Sequence, residues 1–349
     1  MSGLPKPVIA VVGATGVVGE AMLSILASRF GSGCTVRAVA SEHSLGNQVP
    51  YGKRMLDIEA LDSFSFDQVD FALFSAGSDV SRTYVPLAVE AGAVVIDNTS
   101  EFRYQPQVPL VVPEVNPELL EEISRGDIIA NPNCSTIQLV VAVAPIYRAA
   151  GIDRINVATY QSVSGAGRSG LEELASQTAD RLNSRPARQS AFRQPIAFNV
   201  LPEIDRMEDN GYTREEMKMQ WETSKILADP DIRVNATAAR VPVFYGHSEA
   251  VHLETREDIS IEEITRLLKR APGVKLRNDR EQGFATPVTD AAGHDAVFVS
   301  RLRRDHTHSR GVNLWVVADN VRKGAALNAV QILEIVLQGR EFAGIGSPA

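Results

Sequence analysis

The residues best suited to covalent chemistry are a cysteine and a histidine far apart in the chain. The segment NPNCST at 131–136 follows an Ile-Ile strand end and precedes an apolar helical stretch at 137–147. A thiol at a helix N-terminus meets unsatisfied amides and the positive end of the dipole, which lower its pKa and favour the thiolate. Cys134 is therefore placed as a nucleophile. A second reading of equal weight makes the segment a capping turn, with Asn133 or Ser135 as the cap and Cys134 merely small. Cys34 opens an apolar strand and reads as packing. A nucleophile needs a base, and six histidines are available. His247, in VFYGHSE at 243–249, follows a glycine that breaks a strand and turns the ring toward a cleft; for any single histidine a structural or solvated role competes with this.

A second chemistry is carried by Gly13-Ala14-Thr15-Gly16-Val17-Val18-Gly19, between a β-branched run at 8–12 and a helical stretch. Amides at such a helix start receive a pyrophosphate, so the loop predicts a dinucleotide site, although GxxGxxG is one residue off the usual spacing. The following strand ends in Ser41-Glu42-His43-Ser44. Glu42 suits the ribose of NAD, and Ser41 and Ser44 with a nearby cation suit the 2′-phosphate of NADP; both remain open.

These groups need elements to hold them. Strands are predicted at 8–12, 35–40, 70–75, 93–97 and 127–130, with helices at 16–29, 80–90 and 117–123 between them, the alternation of a doubly wound parallel sheet. Beyond residue 133 the pattern changes to a helix at 134–149 and strands at 155–162, 234–243, 250–255, 296–303 and 312–318, as expected of an α+β domain. An Arg/Pro/Gln-rich stretch at 183–195 reads as an exposed excursion. The helix predicted at 322–337 is apolar over much of its circumference and is expected to pack back on the first domain. The expected domains are 1–132 with 320–349, binding the dinucleotide, and 133–319.

The chain has 349 residues and a net charge of -8, with 44% apolar residues and two cysteines. That size predicts two domains with real cores. The acidic balance argues against nucleic acid, two thiols exclude a disulfide framework and fit a reducing cytoplasm, and no apolar run reaches the roughly 20 residues that span a bilayer.

In order along the chain, GATGVVG, LFSAG, DNTSEFR, PLVVPEVN, NPNCSTIQ, TYQSVSGAG, IAFNVLPEID, EEMK, RVPVFYGHSE and LWVVADNVRKGAALN together resemble the aspartate-β-semialdehyde dehydrogenase family. The resemblance implies a Rossmann-like dinucleotide-binding domain and an α+β catalytic and dimerisation domain. It implies reductive dephosphorylation of L-4-aspartyl phosphate to L-aspartate 4-semialdehyde in lysine, threonine and methionine biosynthesis. By resemblance Cys134 carries an acyl thioester, His247 is the acid/base, and Gln161 orients the substrate. Arg103 and Lys218 meet the phosphate, Asn133 helps fix phosphate and nucleophile, Arg240 pairs with the substrate carboxylate, and Glu215 faces its amino group. For NADP the resemblance implies Gly13, Thr15, Gly16, Val17 and Val18 at the pyrophosphate, Ser41 and Ser44 near the adenosine ribose, and Ser164, Gly165 and Asn320 near the nicotinamide. It also implies a cytoplasmic homodimer or homotetramer and no metal.

Glu215 and Lys218, three apart on a predicted helix, share a face. Arg240 and His247 differ by an odd number and would oppose each other on an unbroken strand, unless Pro242 and Gly246 bend it. One departure concerns the cofactor: an ASxRSxGK-like segment common in NADP-preferring members reads ASEHSLGN here, so both cations are weakened or lost and NAD use is open. The rivals are an N-acetyl-γ-glutamyl-phosphate reductase, whose GCYPT-like cysteine segment is missing, and a non-catalytic paralogue, which would be expected to lose residues that are all present.

Overall fold

The computed structural model describes residues 6–343 apart from 187, 280 and 282. The described residues divide into two compact units, 6–132 with 325–343, and 133–324.

The first unit is built on β1 (Val8–Val12), β2 (Thr35–Ala40), β3 (Gln48–Tyr51), β4 (Arg54–Ala60), β5 (Phe71–Phe74), β6 (Val94–Asp97) and β7 (Ile128–Ala130). Their order is β3-β4-β2-β1-β5-β6-β7. All neighbours run parallel except β3 with β4. The chain leaves β1 in opposite directions along the sheet, the doubly wound arrangement in which ligands bind at the carboxyl ends of the strands. Helices α1 (Val17–Arg29) and α2 (Ser78–Glu90) connect strands of this unit. The β3–β4 hairpin was not anticipated, because β4 is half exposed and carries Arg54, Asp57 and Glu59, which hide its alternation. The helix expected at 117–123 is only a short 3₁₀ turn, Pro117–Leu120.

Residues 322–337 do not make one helix. A π-helical turn, Arg322–Ala326, precedes α7 (Leu327–Ala343). Leu327, Val330, Leu333 and Val336 join Met22, Leu23 and Leu26 of α1 in the core of the first unit, as the apolar circumference of the segment requires. Each such side chain contributes roughly 1.5–3 kcal/mol by leaving water. Cys34 is buried in the same core with its Sγ 3.4 Å from the Tyr51 hydroxyl, and burial pushes its thiol up.

The second unit contains α3 (Cys134–Ala150), β8 (Ile152–Gln161), α4 (Gly167–Leu182), α5 (Arg214–Ile226), β9 (Arg233–Arg240), β10 (His247–Thr255), α6 (Ile261–Arg270), β11 (Val274–Leu276), β12 (Val297–Arg304) and β13 (Gly311–Ala318). Its sheet is mixed, in the order β11-β12-β13-β10-β8-β9. Residues Ser135 to Ala144 of α3 are all buried, so this helix is the core element of the unit. The strand expected at 234–243 stops at Arg240 and the next starts at His247, earlier than expected. The two flank β8 on opposite sides, β9 parallel and β10 antiparallel. Arg240 and His247 therefore never share a strand, and the odd-number problem disappears. The turn between them uses Gly246 at φ +90°, where a Cβ would stand 2.8 Å from Pro287. Among the described residues no helix is long and apolar enough to cross a membrane.

Candidate active site

The site in the second unit starts at the cap of α3. Asn133 is the N-cap: its Oδ1 accepts from the amides of Ser135 at 3.0 Å and Thr136 at 3.1 Å. The cap is Asn133 rather than Ser135, and capping by Asn133 leaves Cys134 as the first helical residue, the position a nucleophile at this helix start would take. The Asn133 amide donates to Glu222 at 2.6 Å, which ties the same turn to α5. Gly324 lies against the thiol residue; a Cβ there would come within 2.7 Å of the Cys134 Cβ.

Glu215 is the junction of the site. Its Oε1 accepts from Asn133 Nδ2 at 2.9 Å and Gln161 Nε2 at 3.1 Å, and its Oε2 meets Lys218 Nζ at 3.2 Å. Burial alone would raise this carboxyl, but Lys218, the two amide donors and Arg240 outweigh it and hold it at about 2. Glu215 is therefore a fixed negative charge. The predicted one-face pair of Glu215 and Lys218 is present in the first turns of α5, which begins with a capping box between Thr213 and Glu216. Lys218 also reaches Asp205 Oδ2 at 2.6 Å.

Gln161 ends β8, the strand next to the sheet edge, in register with Arg240 on the edge strand β9. Arg240 is buried, donates from Nη1 to the Ser162 carbonyl at 2.9 Å, and borders a cavity of about 650 Å³ that Phe192, Arg193, Asp205 and Arg206 also line. Burial lowers its guanidinium, while Glu215 and Cys134 pull the other way. The field of Arg240 thus reaches the thiol.

His247 is fully buried and accepts at Nδ1 from the Ser162 amide at 3.1 Å. With the Nδ1 lone pair engaged, the proton of the neutral ring belongs on Nε2. Burial first, and the Arg240 guanidinium second, push this imidazole down to about 3. The folded chain therefore keeps His247 neutral where an unfolded chain takes up a proton near 6.5. The stability held by this group is complete above pH 6.5 and falls below it toward pH 3, by up to about 1.4 kcal/mol per pH unit. His247→Asn is expected to flatten the acid limb between pH 6.5 and 4.5 in urea titrations; an unchanged slope would remove the buried imidazole as its cause.

Ser164, Gly165 and Asn320 also lie in the second unit. Asn320 Oδ1 accepts from Ser162 Oγ at 2.9 Å, Ser164 Oγ at 3.0 Å and the Gly246 amide at 2.9 Å, clasping the ends of β8 and β10. Gly165 is pressed on the same machinery, for a Cβ there would stand 2.7 Å from Arg240 Nη1 and 3.5 Å from His247 Nε2.

The remaining candidates belong to the first unit. Arg103 is buried and donates to the Asn98 carbonyl at 2.9 Å. Gly13, at φ +90° with a Cβ position 2.6 Å from the Ser75 carbonyl, and Gly19, whose Cβ would strike Gly13, make a cradle that no larger residue fits. No side chain caps α1: Gly16 is its N-cap, and Val17 and Val18 are its first residues. That backbone suits a pyrophosphate. Ser41 and Ser44 bracket a 3₁₀ turn after β2, the neighbour of β1.

Ser162 and Glu222 escaped sequence reasoning. Ser162 sits beside Gln161, and Glu222 is seven residues beyond Glu215 on the same helix face, a spacing that could have found it.

Two family models match, the semialdehyde dehydrogenase NAD binding domain over residues 8–123 and the semialdehyde dehydrogenase dimerisation domain over 143–323. Aspartate-semialdehyde dehydrogenase 2 of Vibrio cholerae is 55% identical over 95% of this chain and 97% of its own. The Legionella pneumophila aspartate-semialdehyde dehydrogenase is 54% identical over 96% of each chain. The crystal structure of Vibrio cholerae aspartate semialdehyde dehydrogenase II complexed with ASA superposes with a TM-score of 0.93 at 54% identity, over 96% of this chain and 99% of that one. The thiol at a capped helix start, the buried imidazole and the glycine cradle thus sit in a fold and sequence of one kind, and the chain belongs to the aspartate-semialdehyde dehydrogenase family.

Proposed function

We propose that the protein catalyses the reductive dephosphorylation of L-4-aspartyl phosphate to L-aspartate 4-semialdehyde and the reverse reaction, with NADP as cofactor and NAD as a usable substitute. The observation that carries this reading is the convergence of Asn133, Gln161 and Lys218 on the ionised Glu215 at the start of the helix that bears Cys134, beside Arg240. An anionic amino-acid substrate requires this set of fixed charges: a guanidinium fork for its carboxylate and a carboxylate for its ammonium.

In the proposed course, the Cys134 thiolate attacks the acyl carbon, the C–O bond to phosphate breaks, and a thioester forms on Sγ. Lys218 and Arg103 meet the leaving phosphate, and Gln161 with Asn133 orients the acyl group. In the reverse direction the same thiol adds to the aldehyde as a hemithioacetal, whose oxygen faces the Nε2 proton of His247. When bound, the nicotinamide supplies or accepts the hydride. Thr15, Gly16, Val17 and Val18 would hold the pyrophosphate, Ser41 and Ser44 the adenosine ribose, and Ser164, Gly165 and Asn320 the nicotinamide end. A homodimer or homotetramer in the cytoplasm completes the proposal.

An absorbance assay with aspartate semialdehyde, phosphate and either NADP+ or NAD+ tests it. Reduction of both cofactors is expected, with kcat/KM favouring NADP+ by less than about tenfold, because loss of the arginine and lysine removes about 1.4 kcal/mol or more of 2′-phosphate binding. No reduction with either would leave a binding protein, and a preference far above a hundredfold would sink the reading of residues 41–47.

A further inference from the structure

Behind the reacting groups lies a second polar pair that the mechanism does not use. Glu249 on β10 is fully buried, as is Gln138 on α3. Burial drives the Glu249 carboxyl well above the usual carboxylate range, and the Gln138 amide is the group that opposes the shift. Helix α3, which carries Gln138, packs on β10, which carries Glu249, yet neither carboxyl oxygen nor either amide atom makes a hydrogen bond of ordinary geometry. A buried acid in such a place costs stability that an apolar residue of similar volume would not, so packing is a poor account of it.

The placement of the pair is more telling. Gln138 is one helical turn beyond Cys134, and a side chain at i+4 leans back over the turn that starts at i. Glu249 is two residues beyond His247, hence on the same face of β10. Thr159 stands opposite Glu249 in the β8–β10 register, and its Oγ1 accepts from Gln161 Nε2 at 3.4 Å. Helix α3 packs directly on β10. Cys134, His247 and Gln161 are therefore each one step in front of the same buried pair.

We propose that Glu249 and Gln138 are a positioning pair that sets the first turn of α3 against the ends of β8 and β10, and thereby aims the Cys134 thiol at His247 and Gln161. The proposal rests on Cys134 being the nucleophile. Glu249 touches no reacting atom; it acts through Gln138.

Four measurements on the full-length protein test this: kcat, KM, melting temperature, and the pH dependence of Cys134 alkylation by iodoacetamide, followed by peptide mass. Glu249→Gln, which keeps a neutral partner for Gln138, is expected to stay within about threefold of the parent kcat with the same alkylation profile. Glu249→Leu is expected to melt no lower than the parent, yet to lose about 10- to 100-fold in kcat with little change in KM, as a displaced nucleophile does. Its alkylation midpoint should move up by about one pH unit. Gln138→Met preserves length and helix propensity, and should give the same split if Glu249→Leu fails to fold. An unmoved kcat and alkylation profile in the leucine and methionine variants would overturn the proposal. So would a loss in Glu249→Gln equal to that in Glu249→Leu, which would make the carboxyl a proton carrier. The parent protein supplies the separate control: alkylation of Cys134 that leaves it active would defeat the nucleophile reading itself.

Discussion

Cys134→Ser is expected to lower kcat by more than about 10³-fold while leaving the cofactor dissociation constant within a factor of about two. The serine hydroxyl fits the same space at the start of α3 and disturbs neither the Asn133 cap nor the Glu222 contact. Its proton is held far too tightly, however, for the helix N-terminus and Arg240 to remove at neutral pH. Isothermal titration with NADP and steady-state assays on one preparation check both halves. Ordinary turnover in the serine variant would show that another group makes the covalent bond. A large loss of cofactor binding would instead make Cys134 structural.

Arg240→Lys carries the second largest expected effect, and it falls on a different constant. Lysine keeps the positive charge that borders Cys134 and Glu215, so the electrostatic support for the thiolate survives. What it loses is the planar fork and the Nη1 donation to the Ser162 carbonyl. Removing one side of a buried bidentate charge pair costs about 2–5 kcal/mol in related settings, so KM for aspartate semialdehyde should rise at least about 30-fold. The fall in kcat should be less than tenfold. An unchanged KM would take Arg240 away from the substrate carboxylate; a collapse of kcat alone would point to its field on the thiol as its main contribution.

The parts of this molecule that could be read from the chain are those with local causes. The β-branched runs at 8–12 and 93–97 announced a parallel sheet because strands buried on both faces are mostly apolar, and the run at 35–40 shows the same pattern in its buried second half. The polar residues before the apolar run at 137–147 announced a helix start, and Asn133 caps it. Glu215 and Lys218 declared their common face through spacing alone. Arg240 and His247 could not be placed, because strand boundaries decide whether two residues share a ladder, and here they sit on strands flanking β8. The helix face of Glu222 could have been read from its spacing to Glu215, but its partner at Asn133, the partner of Ser162 and the clasp at Asn320 were beyond reach for a related reason. These contacts span 89, 85 and 158 residues, and periodicity describes an element's own faces without naming its neighbours. The roles assigned to Gln161, Arg103 and Asn320 came from resemblance, since nothing in their local spacing sets them apart from ordinary polar residues.

The junction at Glu215 also bears on how the protein comes to life after synthesis. Its two amide donors arrive from positions 82 and 54 residues earlier in the chain, at the cap of α3 and the end of β8, while Glu215 itself waits on α5. Closing loops of that length is slow compared with forming any one helix or hairpin. Until the three pieces dock, Glu215 keeps its water, and only their meeting exchanges that water for the amide donors and Lys218. Helical content therefore says little about competence in a refolding chain, and regain of turnover marks the late step at which distant segments meet.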